Sequence, residues 1–119
     1  MRLLAALLLL LAAAGGLHHW LSNRAATLLP DDPRHLTGDK GIVMLAVEWC
    51  GYCRKQQGDF ERASVRYRVL DIDTPDGNRA MRALGARGVP VTIIGQDVVR
   101  GYDTDSLDAR LIPLGYRVY

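Results

Sequence analysis

Two features adjoin at residues 41–53: the continuous apolar run "GIVMLAV" and, directly behind it, "EWCGYC", which holds the only two cysteines of the chain. A short apolar run rich in β-branched residues reads as a strand buried on both faces. From Cys50 the apolar positions Cys53, Phe60 and Ala63 recur at helical spacing, which predicts a helix to about Arg62. A buried strand feeding straight into a helix constrains the fold to layers of helix on sheet. A bridge between Cys50 and Cys53 would close so small a loop that it restrains the unfolded chain little, because that gain grows with loop length. Stapling therefore explains the pair poorly. Redox chemistry or a metal site remains.

The rest of the domain continues the alternation. "VRYRVLDI" alternates apolar and polar residues and reads as a second strand. In "TPDGNRAMRALG", Thr74 is a natural N-cap, Pro75 fits the first helical position and Gly85 ends the helix. "VPVTIIG" predicts a third strand, "QDV" a tight reversal and "VVR" a short fourth strand. Asp103 or Thr104 caps a last helix in which Leu107 and Leu111 share a face. The predicted order is β-α-β-α-β-β-α. Its first two strands are parallel through a right-handed crossover and its closing hairpin is antiparallel, giving an α/β fold with a mixed four-stranded sheet and flanking helices.

Upstream, Arg2 precedes an unbroken apolar run from Leu3 to Leu17, and Ala12 and Ala14 supply a small-residue cleavage pattern. The run can also continue through His18, His19, Trp20 and Leu21 to about the ~20 residues a bilayer requires, with Trp20 at the interface. Residues 1–21 are expected to be a signal peptide or an N-terminal membrane anchor. Both place the domain outside the cytoplasm, on the periplasmic side of a bacterial inner membrane. Residues 22–40, with Pro30, Pro33 and Gly38, read as a linker or a loosely docked extension in which His35 is solvated, and 41–119 as the domain. A 49 % apolar and 24 % charged composition excludes global disorder, and a formal net charge of +2 gives no nucleic-acid footprint. A monomer is expected.

Placement at the head of a helix gives Cys50 its chemistry, since free amides and the positive end of the helix dipole stabilise a thiolate there. Cys53, one turn further in, should be more buried and keep its proton longer. Cys50 is thus the candidate nucleophile and Cys53 the resolving thiol. Arg54 and Lys55 either bias the site electrostatically or form a solvated face. Trp49 either covers the site or belongs to the core. The rival is a metal-binding or iron-sulfur-carrying module. Structural zinc wants four ligands, yet no third cysteine exists and all three histidines lie upstream of the domain. Soft-metal chaperone domains also place Cys-x-x-Cys after a first strand, but continue strand to strand, where this chain inserts a proline-capped helix.

These residues resemble the thioredoxin superfamily, and more closely the glutaredoxins. "CGYCRK" is similar to their Cys-Pro-Tyr-Cys-Arg-Lys, "GARGVPVTIIG" to their Gly-Ala-Arg-Thr-Val-Pro and strand, and "VRGYDTDSL" to their Gly-Gly-Cys-Asp before the last helix. The resemblance covers roughly residues 41–111 and implies a thioredoxin-like fold with a thiol-disulfide oxidoreductase activity. It implies that Pro90 is a cis-proline facing the cysteines and that the Val89 backbone pairs with an extended substrate. Arg87 would meet a glutathione carboxylate, Gly101, Tyr102 and Asp103 would hold the γ-glutamyl end, and Tyr52 would flank the sulfur. Glutathione would be a co-substrate, with no tightly bound cofactor, and disulfide-bearing proteins the other partners. The chain departs from the glutaredoxin pattern at Val47, where a lysine is usual, at Arg100 and at Glu48. "EWCGYC" itself looks like thioredoxin Glu-Trp-Cys-Gly-Pro-Cys, although Met44 stands where thioredoxins bury an acid. A thioredoxin-like reductant or oxidant that does not use glutathione is therefore the alternative.

Overall fold

The apolar run forms strand β1 (Ile42–Ala46), every residue of which is buried. Helix α3 (Gly51–Arg62) carries the chain over the sheet to strand β2 (Arg68–Asp71), and helix α4 (Pro75–Ala83) brings it back to the hairpin of β3 (Val91–Ile94) and β4 (Asp97–Arg100). Helix α5 (Thr104–Leu111) and a 3-10 turn over Ile112–Leu114 close the domain. Before it come α1 (Arg2–Ser22) and the short α2 (Arg34–Thr37). The computed structural model describes residues 1–22 and 27–119, without the side chains of residues 19–22.

The sheet order is β2-β1-β3-β4. β1 runs parallel to β2, with Val43 opposite Arg68, and antiparallel to β3, with Met44 opposite Thr92; β3 and β4 form the antiparallel hairpin. Alternation along a strand sends successive side chains to opposite faces. Ile42 and Ile94 meet Phe60, Leu107 and Leu111 beneath α3 and α5, whereas Val43, Leu45, Val91 and Ile93 meet Ala80 and Met81 beneath α4. The first face continues past Met44 and Ala46 to Val47, Cys50 and Cys53. The cysteines therefore cap the core at the C-terminal end of β1.

Local capping accounts for the helix starts. Thr74 Oγ1 accepts the Gly77 N–H at 3.2 Å, and Asp103 accepts the Ser106 N–H at 3.1 Å and its hydroxyl at 2.7 Å. Asp103, not Thr104, is thus the cap of α5. The two Ser106 hydrogen bonds hold the Asp103 carboxyl below the usual carboxylate range. β2 is shorter than the alternation of residues 65–72 predicts. Val65 is drawn into the turn that closes α3, where its N–H donates to the Phe60 carbonyl at 2.9 Å, and its side chain joins the core beside Phe60.

The extension before the domain is partly built into it. Thr37 Oγ1 donates to the Gly95 carbonyl at 2.5 Å, and Gln96 Nε2 donates to the carbonyls of Gly38 at 2.7 Å and Arg34 at 3.2 Å. Pro33 is fully buried, and Asp32 is buried against the Arg34 guanidinium at 2.6 Å, which holds its carboxyl below the usual range. This segment covers the β3–β4 turn, at the end of the sheet away from the cysteines. Composition hides such docking, because it rests on single side-chain-to-backbone bonds and presents no periodic apolar face. His35 is exposed, with Nε2 3.0 Å from the Leu29 carbonyl. Among the described residues no helix is long and apolar enough to cross a membrane. The expectations for the side chains of His19, Trp20 and Leu21, and for residues 23–26, lie outside the described residues.

Candidate active site

Cys50 is the N-cap of α3, and its Sγ accepts the Cys53 N–H at 3.1 Å. The two cysteines are joined in a disulfide. Cys50 is 8 % exposed and Cys53 0 %, so an incoming sulfur can reach the first far more readily than the second. Once the bond is reduced, the Cys53 amide and the helix N-terminus favour a thiolate at Cys50. Burial of Cys53 in apolar surroundings favours its neutral thiol.

Opposite the disulfide, the Val89 carbonyl oxygen lies 3.8 Å from Cys50 Sγ, and the Val89–Pro90 peptide is cis. The Pro90 carbonyl accepts the Gly101 N–H at 2.8 Å, which ties the loop after β4 to the strand beside the cysteines. Arg87, Val89, Arg100 and Gly101 line an open groove of about 370 Å³. The Arg100 guanidinium is committed to the Leu84 carbonyl at 3.0 Å, while Arg87 is exposed along the groove. Arg87, Val89 and Gly101 thus share one groove, and of these Val89 meets Cys50.

Tyr52 and Tyr102 form a second group. Their rings stack at 5.8 Å, Tyr119 meets Tyr102 edge-on at 6.3 Å, and Lys55 Nζ sits 5.4 Å over the Tyr102 ring. The Tyr102 hydroxyl donates to the Asp59 carboxylate on α3. That bond raises the Tyr102 phenol above its usual range, and burial followed by the same carboxylate raises Tyr119 further. The Tyr102 ring therefore leans on α3. The turn at 101–103 is left with its backbone and the exposed Asp103 carboxylate, already engaged by Ser106.

Trp49 is 72 % exposed and Tyr52 65 %, so both belong to the rim and not to the core. Arg54 braces the turn before α3, its Nη1 donating to the Glu48 carbonyl at 2.5 Å. Met44 and Val47 are buried near the cysteines. Among the described residues, no group of three or more His, Cys, Asp or Glu could hold a metal ion. Sequence reasoning missed the Asp59–Tyr102–Tyr119 contacts and a buried Gln56–Thr92 pair bonded at 2.6 Å. Gln56 was findable: it lies three residues after Cys53 and four before Phe60, on the stripe those residues define as buried.

Comparison with solved structures adds the wider setting. Buckwheat glutaredoxin in complex with glutathione aligns at 28 % identity and a TM-score of 0.57, covering 68 % of this chain and 81 % of that one. The glutaredoxin-like NrdH-redoxin of Escherichia coli, described as having a thioredoxin-like activity profile, aligns at 25 % identity and a TM-score of 0.53, over 57 % and 91 %. A mutant thioredoxin-like protein aligns at 23 % identity and a TM-score of 0.57, over 61 % and 96 %. The fold is that of the glutaredoxins and thioredoxin-like proteins, with the Cys50–Cys53 pair at the head of α3. The structural neighbours are oxidoreductases of those two kinds. No family model and no curated protein matches the chain.

Proposed function

We propose that this chain is a thiol-disulfide oxidoreductase of glutaredoxin type acting outside the cytoplasm. The observation that carries the reading is the asymmetric disulfide at the N-terminus of α3, with Cys50 3.8 Å from the carbonyl of Val89, a residue that lines an open groove, and Cys53 fully buried. Cys50 thiolate attacks a substrate disulfide, one substrate thiol leaves, and Cys53 then attacks the mixed disulfide to release the second thiol and restore the Cys50–Cys53 bond. The backbone of Val89 pairs with the extended substrate.

Glutathione is the proposed co-substrate. The buckwheat neighbour holds it, and the groove beside Cys50 presents Arg87, whose fork suits a carboxylate. Arg87→Ala should slow deglutathionylation of a mixed disulfide by roughly tenfold to hundredfold, the equivalent of about 1.5–3 kcal/mol for a charged contact. A protein disulfide serves as the control and should be affected little. Equal loss on both substrates, or none, would favour the thioredoxin-like alternative. The Tyr102 ring drawn onto α3 and the apolar Val47 favour that alternative, since each removes a contact that the glutaredoxin resemblance implies.

Export is carried by Arg2 and the apolar run Leu3–Leu17, whether that segment is cleaved or serves as an anchor. A reporter fused after Tyr119 should be active only if it functions outside the cytoplasm, and fractionation separates the soluble from the anchored form. Activity of a cytoplasm-dependent reporter at that position would overturn the location.

A further inference from the structure

Gln56 and Thr92 form a polar pair inside an apolar layer. Both are fully buried, and Gln56 Nε2 donates to Thr92 Oγ1 at 2.6 Å. The register sets Thr92 opposite Met44, so the pair lies on the sheet face that also carries the Met44–Cys53 cluster. Cys53 and Gln56 are three residues apart on α3 and both fully buried. Side chains at that spacing are neighbours on a helix, with Cβ atoms about 5–6 Å apart. An amide that commits its nitrogen to Thr92 turns its oxygen another way, and Gln56 Oε1 is buried without a hydrogen-bond partner. Buried acceptors are nearly always satisfied. The disulfide offers this one nothing, since neither sulfur carries a hydrogen.

Reduction changes that inventory, on the redox reading given above. A dithiol substrate, or two molecules of a monothiol such as glutathione, supplies two electrons and two protons and is oxidised to its disulfide. The Cys50–Cys53 bond breaks. One proton goes to Cys53, and the other stays on Cys50 or passes to water. An S–H donor thereby appears one helical turn from the acceptor that lacks a partner. We propose that Gln56, anchored by Thr92, accepts the Cys53 S–H in the reduced state and is a positioning residue that sets the redox poise of the pair. The bond stabilises the dithiol over the disulfide and keeps the proton on Cys53 until resolution.

The test is a redox titration of the full chain against a glutathione buffer, for wild type, Gln56→Leu and Thr92→Val. Gln56→Leu should favour the disulfide about tenfold more than wild type does, a shift of about 30 mV to more negative potential. Its Cys53 should also ionise at lower pH, read from the pH dependence of mixed-disulfide resolution. Thr92→Val, which frees the amide from its anchor, should move both quantities the same way by less. A purely structural role would lower thermal stability and leave potential and pH profile in place, and that result overturns the proposal. So does a shift to more positive potential, which would mean that the amide favours the disulfide, and so does a rise in the pH at which Cys53 ionises, which would mean that the amide nitrogen faces the sulfur. Should Gln56→Leu fail to fold, an unchanged potential in Thr92→Val is equally decisive against it. A wild-type pair that neither glutathione nor a strong dithiol reduces would remove the redox reading itself.

Discussion

Serine at Cys50 is expected to bring thiol-disulfide exchange by this chain down to the uncatalysed rate. The chain has two cysteines, and only Cys50 combines partial exposure, a donor amide at its sulfur and a position across from Val89. Cys53, with no exposed surface, cannot be reached by a substrate sulfur unless the head of α3 opens. Serine at Cys53 should behave differently. The first attack survives, the mixed disulfide on Cys50 forms, and no second thiol within the chain can release it. Mass spectrometry should therefore find Cys53→Ser carrying substrate and Cys50→Ser carrying none. Added glutathione should free the trapped protein if glutathione enters the groove, which separates the two redox readings by a second route. Exchange retained by Cys50→Ser, or substrate trapped on it, would overturn the assignment of roles.

The largest effect on stability should come from a residue with no chemistry at all. Gly77 lies in the first turn of α4, and a Cβ built there would stand 1.9 Å from the Asp71 carbonyl oxygen and 2.9 Å from the Ile72 Cα. Those atoms are backbone at the end of β2, so no side chain can swing aside. Gly77→Ala must push α4 away from the sheet. That opens the packing of Ala80 and Met81 against Val43 and Leu45. Overpacking of this kind costs about 1–3 kcal/mol, and the higher helix propensity of alanine returns up to about 1 kcal/mol. A net loss near 2 kcal/mol lowers Tm by roughly 8–16 °C for a domain of this size. Gly58 is the control. It lies inside α3, and its nearest neighbour is the flexible Arg62 guanidinium at 3.3 Å. Gly58→Ala should stabilise by up to about 1 kcal/mol. Thermal unfolding of both variants checks the pair, and equal Tm values would refute the close approach at Gly77.

Much of the site was legible because its signals are local. Thr74 and Asp103 cap their helices through side chains that reach only three residues ahead, so neighbouring sequence is enough to find them. The asymmetry between Cys50 and Cys53 follows from one helical turn of separation. The resemblance also supplied the cis bond before Pro90, which no spacing argument reaches. Less legible was Trp49, whose type suits a core or a rim equally and which stands exposed on the rim.

By itself, the sequence determined the order of strands and helices in residues 41–119 and that two thiols stand at the head of one of those helices. Those outcomes depend on dihedral preferences, capping and periodicity within a few residues of each position. Only the tertiary structure decided that β3 would pair with β1, that residues 32–38 would cover the β3–β4 turn, and that Tyr102 would turn to Asp59. It alone decided that Gln56 would be sealed against Thr92, 36 residues away, with an oxygen left over. Each of these rests on a contact between distant segments, and its free energy exists only once the whole core has closed around it.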